Sequence, residues 1–400
     1  MIGLALEGGG AKGAYHIGVY RALCELGIEI DGVVGTSIGA INGAIIAQGD
    51  GLAAWDIWSE TENSTIFDID EQLDTRLHEE GITGKNIAQI VELIRKHLKN
   101  GGIDTSQIKS FIETHVDEAR VRNSGIDYGL VTLSLTSRKP LELMLEEIPE
   151  GQLTSYILAS ASLPGFKTER VDGEKLVDGG LWNNLPLSLL IDRGYDTLIA
   201  VRTNAVGRVR EANHFGCAVI EIIPSEDLGS ILDFNKERGR RNLQLGYLDA
   251  LRLFKHLRGR RYYIEPHPNN TWFFQKLSDM PPKRVQEAGE LLGFSPMPPR
   301  RMMFERIIPK IAAIFGLGDT MDYEELVIAV YEMVAEKLDV ERLKVYSADA
   351  FVDAVNGAFV ERERRVPGLL FNLALKDPIL SRLIKDDLLD ALISVFLIET

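Results

Sequence analysis

The sequence predicts an α/β domain followed by a mostly helical C-terminal domain, and three observations lead to this division. Up to about residue 265, short β-like runs alternate with segments of helical periodicity. Between residues 266 and 299 lie seven of the 15 prolines, a density that interrupts helices and strands alike. Beyond residue 300 the apolar spacing is mainly helical. We therefore predict domains at 1–265 and 300–400, joined by a proline-rich connector at 266–299.

The elements of the α/β domain follow from local patterns. Residues 2–7 predict a first strand, residues 8–10 a glycine turn, and the next segment a helix that stops at Gly27. Residues 33–34 predict a short second strand, and residues 38–48 a helix with a face of small residues. Later strands are predicted over 127–137, 141–145, 197–202 and 218–223. In the C-terminal domain, helices are predicted over 322–338, 348–363 and 378–396.

Composition excludes several classes of protein. The 400 residues carry a formal charge of −15, which argues against a nucleic-acid-binding chain because phosphate binding needs clustered positive charge. Two cysteines, Cys24 and Cys217, are too few for a disulfide framework or a Cys-based zinc site. The N-terminus lacks a basic region, and its apolar stretch is too short for a signal peptide. We expect a cytoplasmic protein without a membrane-spanning segment.

A glycine-rich loop, Gly8-Gly9-Gly10-Ala11-Lys12-Gly13, follows the first strand and opens a helix. Its spacing fits a dinucleotide-binding fingerprint, but Asp31 precedes the second strand, where the fingerprint needs an acid at its end. A Walker phosphate loop needs Ser or Thr after the lysine, where this chain has Gly13. A third use is an oxyanion hole, in which glycine amides at a helix N-terminus stabilise a negative oxygen.

A nucleophile-elbow pattern, Gly35-Thr36-Ser37-Ile38-Gly39, lies between the second strand and the following helix. Such a turn exposes the serine hydroxyl and lets the amide of Ile38 join the oxyanion donors. A serine nucleophile needs a base. A Ser-Asp-His triad in chain order would have to recruit one of the histidines that follow the acid candidate Asp178, which are His214, His256 and His267. That triad remains an alternative.

The third motif, Asp178-Gly179-Gly180, ends an apolar stretch. Alone it is a common Asp-Gly turn. Together with the glycine loop and the elbow, it resembles the patatin-like phospholipase family, whose motifs are a G-G-G-x-[K/R]-G loop, a G-x-S-x-G elbow and D-G-[GA]. Residues 159–166, Ala-Ser-Ala-Ser-Leu-Pro-Gly-Phe, resemble the A-S-x-A-x-P-x-F segment of that family. The resemblance spans about residues 1–203.

This resemblance implies a three-layer α/β/α domain with a largely parallel central sheet, and a lipid acyl hydrolase with a catalytic dyad. Carried over, Ser37 is the nucleophile and Asp178 the general base. The implied oxyanion donors are Gly8, Gly9, Gly10, Ala11 and Ile38, and the supporting motif residues are Lys12, Gly13, Gly35, Gly39, Gly179 and Gly180. The substrate would be a phospholipid or related lipid ester, and the chemistry needs no metal or cofactor. The non-enzymatic alternative is a lipid- or nucleotide-binding module.

Two segments are candidates for peripheral membrane contact. Residues 236–261 contain nine basic and two acidic side chains, a local charge of +7 that would attract anionic headgroups. The alternative for this segment is a solvated helix face that pairs with acidic neighbours. The cluster Trp272-Phe273-Phe274 would insert into a bilayer interface or pack against its own domain.

Overall fold

The computed structural model describes residues 1–66, 104–167, 170–211, 216–317 and 322–365. The chain forms two compact units, the first ending at Leu251 and the second beginning at Arg252. The helix predicted over 378–396 lies outside the described residues. No helix within the described ranges is long and apolar enough to cross a bilayer.

The first unit is built on an eight-stranded sheet flanked by helices. The strands are β1 Ile2–Leu6, β2 Gly32–Thr36, β3 Asp127–Ser134, β4 Pro140–Met144, β5 Arg170–Val171, β6 Glu174–Asp178, β7 Thr197–Val201 and β8 Ala218–Ile222. The α-helices are α1 Ala14–Glu25, α2 Ile38–Ala47, α3 Ala54–Glu60, α4 Asn63–Ile66, α5 Ser106–His115, α6 Glu118–Asn123, α7 Leu153–Ser160, α8 Leu187–Ile191 and α9 Lys236–Phe254. Short 3₁₀ turns cover Gly10–Gly13, Leu145–Glu147 and Gly179–Leu181.

The central strands follow the order β3-β2-β1-β7-β8, β4 and β6 both pair with β3, and β5 pairs with β6. The run β3-β2-β1-β7-β8 is parallel, whereas β4, β5 and β6 join antiparallel. The middle strands are apolar and buried on both faces, as parallel strands covered by helices require. The predicted α/β fold with a largely parallel central sheet is thus confirmed.

The predicted strand over 127–137 ends earlier, at Ser134. The amide of Ser134 donates to Lys139 O, and Arg138 adopts a positive φ of 58°, so residues 135–139 form the turn into β4. No glycine or proline lies in this turn, so the sequence pattern contains no signal for the end of the strand.

The second unit is mostly helical. Its elements are β9 Tyr263–Glu265, α10 Trp272–Ser278, α11 Pro282–Leu291, α12 Pro299–Met302, a π-helical turn Met303–Ile307, α13 Ile308–Phe315, α14 Tyr323–Lys337, β10 Val345–Ser347 and α15 Ala348–Arg365. The buried carboxylate of Glu332 accepts hydrogen bonds from the amides of Arg260, Arg261 and Tyr262, which ties α14 to the segment before β9.

The proline-rich segment 266–299, predicted as a connector, contains α10 and α11. Phe273, Leu277, Val285 and Ala288 from these helices are buried in the core of the second unit. Pro282 occupies the first turn of α11, where a missing amide hydrogen costs little. The prolines therefore delimit helices here. The domain division at 265 and 299 stays a prediction from sequence.

Candidate active site

Strand register brings the two predicted catalytic residues together. Thr36, the last residue of β2, pairs with Val131 of β3, and Asp178, the last residue of β6, pairs with Thr132 of the same strand. Since β4 pairs with Val131 and Thr132 from the other edge of β3, β2 and β6 must share one edge. They meet end to end, so Ser37 and Asp178 lie side by side and line one cavity.

The elbow at Ser37 is strained. Ser37 adopts φ 57° and ψ −122°, a conformation that is costly for a residue with a side chain and is typical of functional turns. The backbones on either side of it approach closely, since a Cβ at Gly35 would lie 2.2 Å from the carbonyl carbon of Gly39. The strand–turn–helix context predicted for the elbow is therefore present.

Ser160 fixes the elbow from the other side. Its hydroxyl accepts a hydrogen bond of 2.9 Å from the Ser37 amide and donates one of 2.7 Å to Val131 O. Ser160 is fully buried. Ser160 belongs to the segment 159–166, which resembles a family motif. The sequence did not predict its contact with the Ser37 amide, because that contact depends on the fold.

The Asp178 carboxyl is buried and only half satisfied by hydrogen bonds. Its Oδ1 accepts a hydrogen bond of 2.7 Å from the Gly180 amide. Its Oδ2 has no hydrogen-bond partner of normal geometry among the described residues. Burial raises the pKa of Asp178 to about 6, and the neighbouring Ser37 hydroxyl and the Gly180 amide act in the opposite direction. A carboxylate with this pKa is a better proton acceptor near neutral pH than an ordinary Asp.

The amides of the glycine loop divide into two groups. Gly8 N donates to Asn184 O and Ala11 N donates to Ile231 O, so these two amides are already engaged. No backbone partner exists for the amides of Gly9, Gly10 and Ile38 among the described residues. All three residues line the cavity. They are the members of the predicted oxyanion set that remain available to a ligand.

Gly10 allows the loop to make this turn. Its φ is +55°, and a Cβ there would lie 2.0 Å from Ile231 O, so no other residue fits without a shift of the backbone. The same close approach lets Ile231 O accept from the Ala11 amide at 2.9 Å.

Lys12 points away from the cavity. Its ammonium donates to Thr203 O at 3.2 Å and to Asn204 O at 3.4 Å, and the side chain is buried. Burial lowers the pKa of Lys12, while Asp227 and Glu7 act in the opposite direction. These contacts tie the glycine loop to residues 203 and 204.

Asn184 and Thr203 support the same loop and were missed by the sequence analysis. Asn184 donates through Nδ2 to Gly8 O at 3.3 Å, and the Thr203 hydroxyl donates to the same oxygen at 2.7 Å. Both side chains are buried. Single polar residues of this kind leave no periodic signal in a sequence, so only the fold reveals them.

The cavity has a volume of about 460 Å³, within the range of small-molecule sites. Ser37, Asp178 and the glycine loop line one part of it. The remaining wall is largely apolar and includes Ile41, Trp58, Ile108, Phe111, Leu163, Phe166, Leu232 and Phe234. An apolar wall beside a polar end suits a ligand with a hydrocarbon chain.

No histidine lies among the described residues that line this cavity. His214, one of the three candidates for a triad, lies outside the described residues. His16 is buried in α1, and burial lowers its pKa to about 3, which keeps it neutral. His16 Nδ1 lies 3.3 Å from Asn42 Nδ2. Within the described part of the chain, Asp178 is therefore the ionisable group beside Ser37.

The basic segment 236–261 is largely paired. Six of its nine cations contact carboxylates of the described residues, in the pairs Lys236–Glu60, Lys236–Glu62, Arg238–Asp233, Arg240–Glu60, Arg241–Glu226, Arg258–Asp322, Arg258–Glu324 and Arg261–Glu336. In the aromatic cluster, Phe273 is buried and Phe274 is 42% exposed. Membrane contact through either segment stays a prediction.

The sequence model of the family described as patatin-like phospholipase matches residues 4–191, which include Ser37, Asp178 and both glycine motifs. Residues 4–191 thus form a patatin-like phospholipase domain, and the resemblance predicted from the motifs is confirmed.

The chain matches only part of each similar curated protein. Lysophospholipase NTE1 of Mycosarcoma maydis is 31% identical over 207 residues, covering 51% of this chain and 10% of that protein. Patatin-like phospholipase domain-containing protein 7 of Rattus norvegicus is 28% identical over 207 residues, covering 50% and 13%. An NTE family protein of Mycobacterium bovis is 30% identical over 217 residues, covering 53% and 52%. The match thus spans from a tenth to about half of these relatives.

VipD from Legionella pneumophila, a solved structure, aligns over 99% of this chain and 90% of its own, with 14% identity and a TM-score of 0.38.

Proposed function

We propose that this chain is a serine lipid acyl hydrolase of the phospholipase A or lysophospholipase type, which works through a Ser37–Asp178 dyad. The observation that carries the proposal is the buried Asp178 carboxyl, which lines the same cavity as the strained elbow at Ser37. Its Oδ2 has no hydrogen-bond partner of normal geometry among the described residues. The names of the relatives, phospholipase and lysophospholipase, agree with this class of substrate.

The reaction follows from the positions of these groups. Asp178 accepts the proton of the Ser37 hydroxyl while the serine oxygen attacks the ester carbonyl carbon. The amides of Gly9, Gly10 and Ile38 donate to the negative oxygen that forms, and each such donor is worth about 2.7–4 kcal/mol. Collapse of this intermediate breaks the ester bond, and the leaving alcohol takes the proton from Asp178. An acyl group then remains on Ser37.

Water completes the cycle. Asp178, ionised again, takes a proton from a water molecule that attacks the acyl carbonyl, and the acid is released with Ser37 restored. Because the pKa of Asp178 is about 6, the carboxyl is mostly ionised at pH 7 yet basic enough to take part in both steps. The dyad acts without a histidine.

Labelling with a fluorophosphonate tests the proposal directly. We expect the probe to modify Ser37 in the wild-type chain, and the Ser37→Ala variant to lose both labelling and hydrolysis of a lysophospholipid while keeping its circular dichroism spectrum. An inert Ser37 in folded wild-type protein would favour a lipid-binding module. Loss of activity in His214→Ala, together with full activity in Asp178→Asn, would favour the triad.

A further inference from the structure

The mouth of the cavity combines exposed apolar side chains with a basic one. Leu181 and Val206 line the cavity and are 51% and 49% exposed. Arg208 lines it as well and is exposed. Large apolar side chains beside a guanidinium at the entrance of an apolar cavity indicate an amphiphilic ligand, whose chain lies inside and whose charged group stays outside.

The backbone of Arg208 is joined to the catalytic loops. Its amide donates to Gly180 O at 2.9 Å, and its carbonyl accepts from the Asn184 amide at 2.7 Å. Gly180 in turn donates to Asp178 Oδ1, and Asn184 O accepts from the Gly8 amide. Arg208 is therefore held at a fixed place relative to both the base and the oxyanion loop.

Two arginines lie near the ring of Trp182. The guanidinium carbon of Arg208 is 5.8 Å from the ring centroid, and that of Arg210 is 3.9 Å from it. Arg210 shares a neighbouring pocket with Glu142 and Glu211 and is not among the residues that line the cavity. Of the two arginines, Arg208 is therefore the one that lines the cavity.

Among the described residues, no carboxylate lies within 4.0 Å of the Arg208 guanidinium, in contrast to the paired arginines of α9 such as Arg240. An exposed guanidinium costs little to desolvate partly and presents two parallel N–H donors, the geometry that phosphate oxygens accept.

We propose that Arg208 binds the phosphate group of the lipid whose ester Ser37 attacks, so that the substrate class is glycerophospholipid rather than neutral acylglycerol. This inference rests on the proposed hydrolase function. The phosphate of a monoacyl or diacyl phospholipid lies only a few bonds from its ester groups. A guanidinium at the cavity mouth and a nucleophile within the cavity can therefore engage one molecule together.

The test compares two substrates with the same short acyl chain, a lysophosphatidylcholine and a monoacylglycerol, both below their critical micelle concentrations. For Arg208→Gln we expect kcat/KM on the lysophospholipid to fall at least about tenfold more than on the monoacylglycerol, mainly through KM. Arg208→Lys should recover part of the difference. The matched control is Arg240→Gln, which removes an exposed arginine paired with Glu60 and should change neither substrate's kinetics.

Equal losses on the two substrates, or no loss, would overturn the assignment of Arg208. A loss seen only with anionic vesicles and not with monomers would also overturn it, because the charge would then serve adsorption to a surface. If wild-type protein cleaves neither ester, the proposed hydrolase function itself fails. Cleavage of both without discrimination by Arg208→Gln refutes the phosphate site alone.

Discussion

Glu7 and Asp178 are both buried carboxylates at the ends of strands in the first unit, yet their surroundings differ. Glu7 directly follows β1, and its Oε2 accepts from the amides of Thr203 and Asn204 at 2.6 and 3.0 Å. Arg202 Nε lies 3.4 Å from the same oxygen. Asp178 ends β6 and has one oxygen without a hydrogen-bond partner of normal geometry among the described residues.

From this contrast we infer a structural role for Glu7 beside the catalytic role proposed for Asp178. The hydrogen bonds and the cation at Glu7 offset the cost of burying its carboxylate. A buried carboxylate with a free oxygen is destabilised when charged, so it accepts a proton readily from a neighbouring hydroxyl. The predictions below test that difference.

The largest expected effect is on catalysis by Asp178→Asn. The amide cannot accept the Ser37 proton, so we expect kcat for a lysophospholipid ester to fall by about 10⁴-fold or more. The matched variant Glu7→Gln should stay within about tenfold of wild type when assayed below its melting temperature. Equal losses in the two variants would remove the distinction between the carboxylates.

Removal of the Glu7 side chain should have the largest effect on folding. Glu7→Ala leaves the amides of Thr203 and Asn204 without their acceptor and removes the buried partner of Arg202, and we expect the free energy of unfolding to fall by about 3–5 kcal/mol. Urea denaturation monitored by circular dichroism measures it. The control is Glu221→Gln, because Glu221 is the more exposed partner of Arg202 and an exposed pair contributes at most about 1 kcal/mol. A similar small change in both variants would contradict the structural role of Glu7.

The free energy of unfolding should depend on pH because burial destabilises the charged carboxylate of Asp178. The pKa of the Asp178 carboxyl is about 6 in the folded chain, above the 3.8 of an ordinary Asp, so the folded state binds the proton more tightly than the unfolded chain. Its contribution to stability is therefore complete below about pH 4 and is lost as the pH rises through 6, by about 3 kcal/mol in all. The Asp178→Asn variant lacks this pH-dependent contribution because an amide side chain does not titrate.

We expect the melting temperature of Asp178→Asn to rise relative to wild type between pH 4 and pH 8, although the variant is inactive. Thermal scans at several pH values measure the difference. A constant difference between the two proteins over this range would show that Asp178 is not destabilised by burial.

The smallest expected effect concerns Ser160, which positions the nucleophile without contacting substrate. Ser160→Ala leaves the Ser37 amide without its acceptor, and we expect kcat to fall about 30-fold with KM unchanged. The control is Ser162→Ala, because Ser162 is also buried but its hydroxyl donates to Leu158 O. Equal changes in the two variants, or a change in KM alone, would contradict a positioning role for Ser160.

The sequence predicted most of the first unit because its signals are local. Neighbouring residues specify the strand ends at Leu6 and Thr36 and the glycine turns near them. In the structure, both strands lie within a residue or two of the prediction. The overrun past Ser134 and the helices within 266–299 show where local signals fail. In the first case a non-glycine residue made the turn, and in the second the prolines began helices instead of excluding them.

The partners of the reactive groups could not be predicted in the same way. Ser160, Asn184 and Thr203 reach the elbow and the glycine loop from segments more than 100 residues away in the chain. Their contacts depend on strand order and register, which the sequence pattern does not encode. A count of basic residues likewise does not show which of them are paired. Cations of α9 contact carboxylates, whereas no carboxylate of the described residues pairs with Arg208.

By itself, the sequence predicted the fold class, the family resemblance, and Ser37 and Asp178 as the proposed nucleophile and base. Each of these predictions rests on short motifs whose glycines and polar residues have a local physical purpose. The tertiary structure decided which loop amides remain available to a ligand among the described residues and which arginine lines the cavity. It also explains why the pKa of Asp178 is raised, while Glu7 accepts several hydrogen bonds. Those properties depend on burial and on hydrogen-bond partners, and both arise only when distant strands are brought side by side.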